Sequence, residues 1–226
     1  MLTIDHLGRR EGRLQILDDV SFTWPKGLLA VIGGNGSGKT TLLRVVAGAK
    51  APNAGKAEWN GVSTARAARR KGVMGYGPQE RNLDLAITLR EFLTLCCDLR
   101  GLSGRGQKVA AVADELGLSK QLDERLANLS GGGRRKAMTA QAMLGDPELI
   151  VLDEPTSEVD YAASRRFWAA FKTRGETAAL IVATHDVELA LSVADALLLL
   201  RRGQPLKLGQ PTDFTLEELS AAIADY

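Results

Sequence analysis

Four stretches of this chain are apolar without interruption: residues 28–32 (LLAVI), 149–152 (LIVL), 179–183 (ALIVA) and 196–200 (ALLLL). Such runs predict strands buried on both faces, as in a parallel sheet covered by helices. The first three end in Gly33, Asp153 and Thr184–His185. Ligands of open α/β sheets bind just beyond the carboxyl ends of the strands, so these polar segments are expected to converge on one edge. Residues 2–6 and 14–24 alternate loosely and predict antiparallel strands, as do residues 56–59 ahead of the Asn60-Gly61 turn. Residues 89–129 carry helical periodicity, which Gly101, Gly104, Gly106 and Gly117 are expected to cut into short helices. Residues 215–224 predict a closing helix with Thr215 as N-cap and Glu217 and Glu218 in its first turn.

Directly after the first buried run stands Gly33-Gly34-Asn35-Gly36-Ser37-Gly38-Lys39-Thr40, a complete GxxxxGK[ST] sequence. It joins a strand to a predicted helix over 40–47, the context that motif requires. Its glycines let the backbone wrap around phosphate oxygens and aim N–H groups at them. Lys39 adds a mobile cation for the β and γ phosphates, and Thr40 offers a hydroxyl to Mg²⁺. The helix N-terminus adds partial positive charge, and Thr41 extends the nucleotide-binding set. The fold class these features predict is α/β: a P-loop NTPase with a mostly parallel sheet flanked by helices, an N-terminal antiparallel β subdomain and an inserted helical subdomain, using ATP and Mg²⁺. The second buried run ends in Asp153-Glu154. Successive strand residues face opposite ways, so the two carboxylates are expected to differ in role. Asp153 suits the Mg²⁺ shell and Glu154 a water lined up behind the γ phosphate.

With Leu129-Ser130-Gly131-Gly132-Gly133 shortly before that acid pair, the chain resembles the ATP-binding subunit of an ABC transporter over essentially its whole length. Gln79, within Tyr76-Gly-Pro-Gln79, resembles the Q-loop glutamine; Ser157-Glu-Val-Asp160 resembles the D-loop, and Thr184-His185-Asp186 the switch-histidine segment. The resemblance implies one domain over residues 1–226 with a helical subdomain inserted at about 84–145. It implies a head-to-tail dimer in which Ser130, Gly131 and Gly132 of one subunit cap the γ phosphate on the other subunit's loop. It makes Glu154, His185 and Gln79 catalytic, with Gln79 also at the metal beside Thr40 and Asp153. The implied partners are a transmembrane permease subunit and a second ATPase subunit, identical or related, at the cytoplasmic face of the membrane, with no nucleic acid. LSGGGRRK, and residues 87–92 followed by 99–101, resemble exporter-type drug- and antibiotic-resistance members. The alternatives are an importer ATPase and an ABC ATPase that transports nothing.

The chain departs from the family pattern in places. Gly133 stands where the family has Gln, and Arg134-Arg135-Lys136 follow in a first helical turn, where the dipole disfavours cations. They read as a solvated basic face, or as cations that draw in ATP or meet acids on a partner. Glu158 stands where many relatives carry Gly, with Arg134 or Arg135 of the other subunit as a candidate counter-charge. Residues 7–15 hold no aromatic ring for adenine. Arg9 or Arg10 stacking on the base is one reading, and a loosely held base the other.

Composition adjusts this picture only at its edges. Of 226 residues, 45% are hydrophobic but only 5% aromatic, so the core is expected to be mostly aliphatic. A net charge of +2 is too small to point to nucleic acid or a bilayer. Adjacent Cys96 and Cys97 are poorly placed to pair and read as small apolar helix positions in a reducing compartment. No apolar run is long enough to span a bilayer and the first residues lack a signal peptide's apolar centre, so a soluble protein with a membrane partner is expected.

Overall fold

The computed structural model describes residues 1–79 and 86–224. In chain order it contains β1 (Leu2–Glu11), β2 (Leu14–Trp24), β3 (Gly27–Ile32), α1 (Lys39–Val46), β4 (Ala54–Trp59), β5 (Val62–Ser63), α2 (Thr64–Ala67) and β6 (Met74–Gly77). There follow α3 (Leu89–Leu99), α4 (Arg105–Glu115), α5 (Gly131–Met143), β7 (Leu149–Asp153), α6 (Tyr161–Gly175), β8 (Ala179–Thr184), α7 (Val187–Val193), β9 (Ala196–Arg201), β10 (Gln204–Gly209) and α8 (Leu216–Ala224).

The strands form two sheets. One is antiparallel, in the order β2-β1-β4-β5; the other runs β10-β9-β3-β8-β7-β6 and is parallel except for its β10–β9 edge. The four apolar runs are the central strands of the second sheet, β3, β7, β8 and β9, and their residues are buried throughout. Their pleat divides the core in two. Leu28, Ala30 and Ile32 of β3 join Ile150, Leu152, Leu180 and Val182 on the face covered by α3 to α7. Leu29 and Val31 join Leu149, Val151 and Ile181 on the face where α1 and the antiparallel sheet pack. The core is mostly aliphatic as expected; its aromatic members include an edge-to-face cluster of Phe167, Trp168 and Phe171 on α6. No helix among the described residues is long and apolar enough to cross a membrane.

The antiparallel strands, the Asn60-Gly61 turn (both at positive φ) and the Thr215 cap, which accepts from the Glu218 N–H at 3.0 Å, match the sequence reading. Besides the two-residue β5, two strands do not announce themselves in sequence. β6 reads Met-Gly-Tyr-Gly and offers no apolar run; its glycines serve a neighbour instead. A Cβ at Gly75 would lie 1.8 Å from the Ala142 carbonyl, so only glycine lets the backbone of α5 lie flat on β6. β10 is an edge strand with Pro205 inside it and half its residues exposed. Gly101, Gly104 and Gly117 interrupt the helical region at positive φ, but Gly106 lies within the first turn of α4, facing open space. The expected start of the helical insertion at 84 lies outside the described residues.

Candidate functional site

β3 delivers the chain to a loop in which two positions have no room for a side chain. A Cβ at Gly33 would stand 2.3 Å from the Leu200 carbonyl. Gly38 adopts φ +102°, and a Cβ there would stand 2.9 Å from the Ile16 carbonyl. Gly38 occupies the N-cap position of α1 without a side-chain cap, and no acid sits in the first turn. The start of α1 therefore presents donors and positive potential to a bound anion. Lys39 is buried, and its Nζ donates to the carbonyls of Gly33 (2.6 Å) and Gly34 (3.1 Å). Burial lowers its pKa, while the charges of Glu154 and Asp153 draw it back up.

The two acids at the end of β7 sit differently. Asp153 continues the Leu149–Val151 face and so points toward α1. It is 1% exposed, and neither carboxylate oxygen has a hydrogen-bond partner in good geometry. Burial raises its pKa to about 6, the nearby Thr40 hydroxyl opposing the shift and the Glu154 charge adding to it. Glu154 is not the next residue of a pleated strand, as alternation alone assumes. Its φ is +51°, and its N–H donates to the Ala183 carbonyl at 2.9 Å. That left-handed turn is a strained conformation for a non-glycine residue, so strand alternation does not set the direction of the Glu154 carboxylate. The Glu154 carboxylate lies 2.8 Å from Nδ1 of His185, and this bond raises the His185 pKa against the opposing effect of burial.

A cavity of about 270 Å³ gathers most of the expected residues: the loop 34–41, Gln79 and Glu154 line it, together with Ile16. Gly33 stands behind the loop, and His185 reaches the cavity through Glu154. The Thr40 hydroxyl lies 3.4 Å from the Gln79 side-chain oxygen. With the unpartnered Asp153 oxygens, these are hard oxygen donors of the kind Mg²⁺ takes alongside phosphate, so the residues fit the cation. Asp186, next to His185, caps α7 and accepts from the Leu189 N–H at 3.1 Å.

Ser130, Gly131 and Gly132 do not line this cavity. They open α5, with Ser130 as N-cap accepting from the Gly133 N–H at 3.0 Å. Their neighbour is Glu158 of the same chain. A Cβ on Gly131 would lie 2.5 Å from its carboxylate, and one on Gly132 would lie 2.6 Å from its carbonyl. The counter-charge expected from another subunit is supplied in cis: Arg135 Nη2 stands 3.9 Å from the Glu158 carboxylate. The basic run is not a solvated face either. The Arg135 side chain is 5% exposed and donates to the Gln79 carbonyl at 3.0 Å, and Lys136 pairs with Asp160 at 3.6 Å. Arg135 and Lys136 fall in the second turn of α5, beyond the reach of most of the dipole's effect, and each has an acid beside it.

The arginines suggested for adenine are engaged elsewhere. Arg9 donates to the Ala51 carbonyl at 2.8 Å and to Glu11, and Arg10 to Gln15 at 2.5 Å; neither lines the cavity. The apolar wall is Ile16, one position beyond the aromatic-free window 7–15. Cys97 is buried and Cys96 partly so, with the Cys96 thiol pushed up to about 11 by burial, as suits inert core positions.

Residues 17–157, which span the phosphate loop, the α5 start and the acid pair, match the model of the ABC transporter family. The chain belongs to that family. As a member of the ABC transporter family it is an ATP-binding domain and an ATPase. It is 35% identical over 210 residues to a Nod factor export ATP-binding protein I of Rhizobium etli, covering 89% of this chain and 65% of that protein. It is 34% identical over 208 residues to the zinc import ATP-binding protein ZnuC of Cereibacter sphaeroides, covering 89% of this chain and 79% of that one. The chain thus spans about two thirds of the first relative's length and about four fifths of the second's. Among solved structures it superposes on an ATP-binding subunit of an ABC transporter with TM-score 0.83 at 26% identity, covering 94% of this chain and 91% of that one. A dimeric bacterial ABC transporter cassette has the same fold, with TM-score 0.84 at 20% identity over 93% of this chain and 99% of that one.

Proposed function

We propose that this chain binds ATP in the cavity between the 34–41 loop, Gln79 and Glu154, hydrolyses it there, and so drives transport of a substrate through a separate transmembrane subunit, in the export direction. The observation that carries the chemistry is the convergence of Lys39, Asp153, Glu154 and His185 at one cavity of about 270 Å³. Lys39 and the loop N–H groups balance the β and γ phosphate charge. Glu154, steadied by His185, accepts the proton of the attacking water. Thr40, Gln79 and Asp153 are the residues that would hold Mg²⁺, which when bound neutralises phosphate charge. The chain is read as one domain, residues 1–226, with the helical insertion at about 84–145.

Ser130, Gly131 and Gly132 stand apart from the cavity of their own chain. This favours a head-to-tail pair in which they close the γ phosphate of a second ATPase subunit, identical or related, at the cytoplasmic face of the membrane. The LSGGGRRK segment and the Nod factor export relatives favour export; the 34% identity to a zinc import ATP-binding protein supports import as the second reading. Lys39→Ala is expected to lower phosphate release by ~10²–10³-fold, the usual cost of one charge-stabilising group; undiminished turnover would reject the cavity as the active site. Vesicles reconstituted with this chain and its membrane subunit assign direction: ATP on the side of this chain must drive the cargo away from that side for export.

A further inference from the structure

We propose that Arg135 is a positioning residue that fixes Gln79 for the metal–nucleotide complex, with Glu158 orienting its guanidinium. The inference rests on the reading that Gln79 stands at the Mg²⁺. Gln79 is exposed and lies beyond β6, in neither strand nor helix. Among the described residues β6 is the edge of its sheet and pairs with β7 alone, so no strand there steadies its outer side. Side chains of α5 do so instead. Gln141 donates to the Tyr76 carbonyl at 2.5 Å, and Arg135 donates to the Gln79 carbonyl at 3.0 Å. Both reach the segment because Gly75 lets α5 lie directly on β6.

Arg135 has a second commitment. Its Nη2 faces the Glu158 carboxylate at 3.9 Å, while Nη1 serves Gln79. Glu158 holds φ +63° and rests over Gly131 and Gly132, where any side chain would displace it. One buried guanidinium therefore joins the segment bearing Gln79, the start of α5 and the 157–160 turn that follows the catalytic acid. A planar, always-charged fork can serve two acceptors at once; a lysine ammonium on a flexible stem lacks that fixed geometry.

The test compares Arg135→Gln, Arg135→Lys, Glu158→Gln and Gln79→Ala, each in the Glu154→Gln chain loaded with ATP. Mn²⁺ replaces Mg²⁺, and its affinity is read by electron paramagnetic resonance; ATP affinity is measured with chelator present. Arg135→Gln is expected to weaken Mn²⁺ about tenfold, the usual size of an outer-shell effect, with metal-free ATP affinity within about twofold of the parent. Arg135→Lys is expected to recover only part of the loss, and Glu158→Gln to shift Mn²⁺ in the same direction by roughly threefold, as suits a loose, half-exposed pair. Unchanged Mn²⁺ affinity in Arg135→Gln, beside a clear loss in Gln79→Ala, overturns the positioning role and leaves the metal assignment standing. Unchanged affinity in Gln79→Ala removes Gln79 from the metal and overturns both. If Arg135→Gln does not fold, Glu158→Gln decides, and no shift there overturns the role.

Discussion

Replacing Asp153 with Asn should stabilise the protein while weakening Mg²⁺ binding at the proposed metal site. The carboxylate is 1% exposed without a well-made hydrogen bond, and its pKa is raised from 3.8 to about 6. An acid whose pKa is higher in the folded state binds its proton more tightly there. Folding therefore gains from the proton at low pH, and that advantage is lost as pH rises from the unfolded value of 3.8 through about 6. A shift of about 2 units at ~1.4 kcal/mol per unit makes the charged form cost the folded state roughly 3 kcal/mol above pH 7, and about half of that at pH 5. Asn carries no charge to bury. Urea unfolding without nucleotide or Mg²⁺, at pH 8 and pH 5, should show Asp153→Asn more stable than the parent by roughly 1–3 kcal/mol at pH 8, with a clearly smaller gain at pH 5. A loss of stability at pH 8, or a gain that ignores pH, would refute the argument that this carboxylate is held in place for a cation.

The Glu154–His185 bond predicts an imidazole titrating above its ordinary 6.5. Its contribution to stability should be complete below 6.5 and fade as pH rises through the raised value. Proton NMR of His185 should place its midpoint above 6.5 in the parent and lower it in Glu154→Gln; an identical midpoint in both chains would remove the pair. Two glycine substitutions should split in sign. Gly75→Ala must push α5 off β6, because the new Cβ would meet backbone at 1.8 Å, and should cost more than about 2 kcal/mol. Gly106→Ala enters open space inside a helix and should gain ~0.5–1 kcal/mol. Thermal melts check both, and equal effects would contradict the packing described.

What the sequence revealed follows from what each segment had to satisfy alone. The buried strands β3, β7, β8 and β9 read clearly because burial on both faces leaves no polar position. The phosphate loop read clearly because its glycines answer to backbone geometry and its Lys and Thr to phosphate chemistry. β6 stayed hidden because its residues answer to a helix more than sixty positions away: Gly75 is small for the sake of Ala142. The contacts of Arg135 are obscured in sequence for the same reason. A basic run near a helix start reads as solvated until its acceptors, Gln79 and Glu158, are placed beside it. Glu154 illustrates a third case: its place at a strand end is legible in sequence, but its direction is set by a left-handed turn that local sequence does not announce. Ile16 lines the cavity without an aromatic ring to mark it in sequence.

The central claim is that Glu154 activates water against an ATP held by the Lys39 loop. Glu154→Gln keeps the shape of the side chain and removes its basicity, so binding and chemistry separate in one chain. Filter binding of labelled ATP, with phosphate release measured on the same sample, should show ATP retained near one per chain and release reduced at least ~10²-fold. Phosphate release at the parent's rate, or loss of ATP binding itself, would contradict the account.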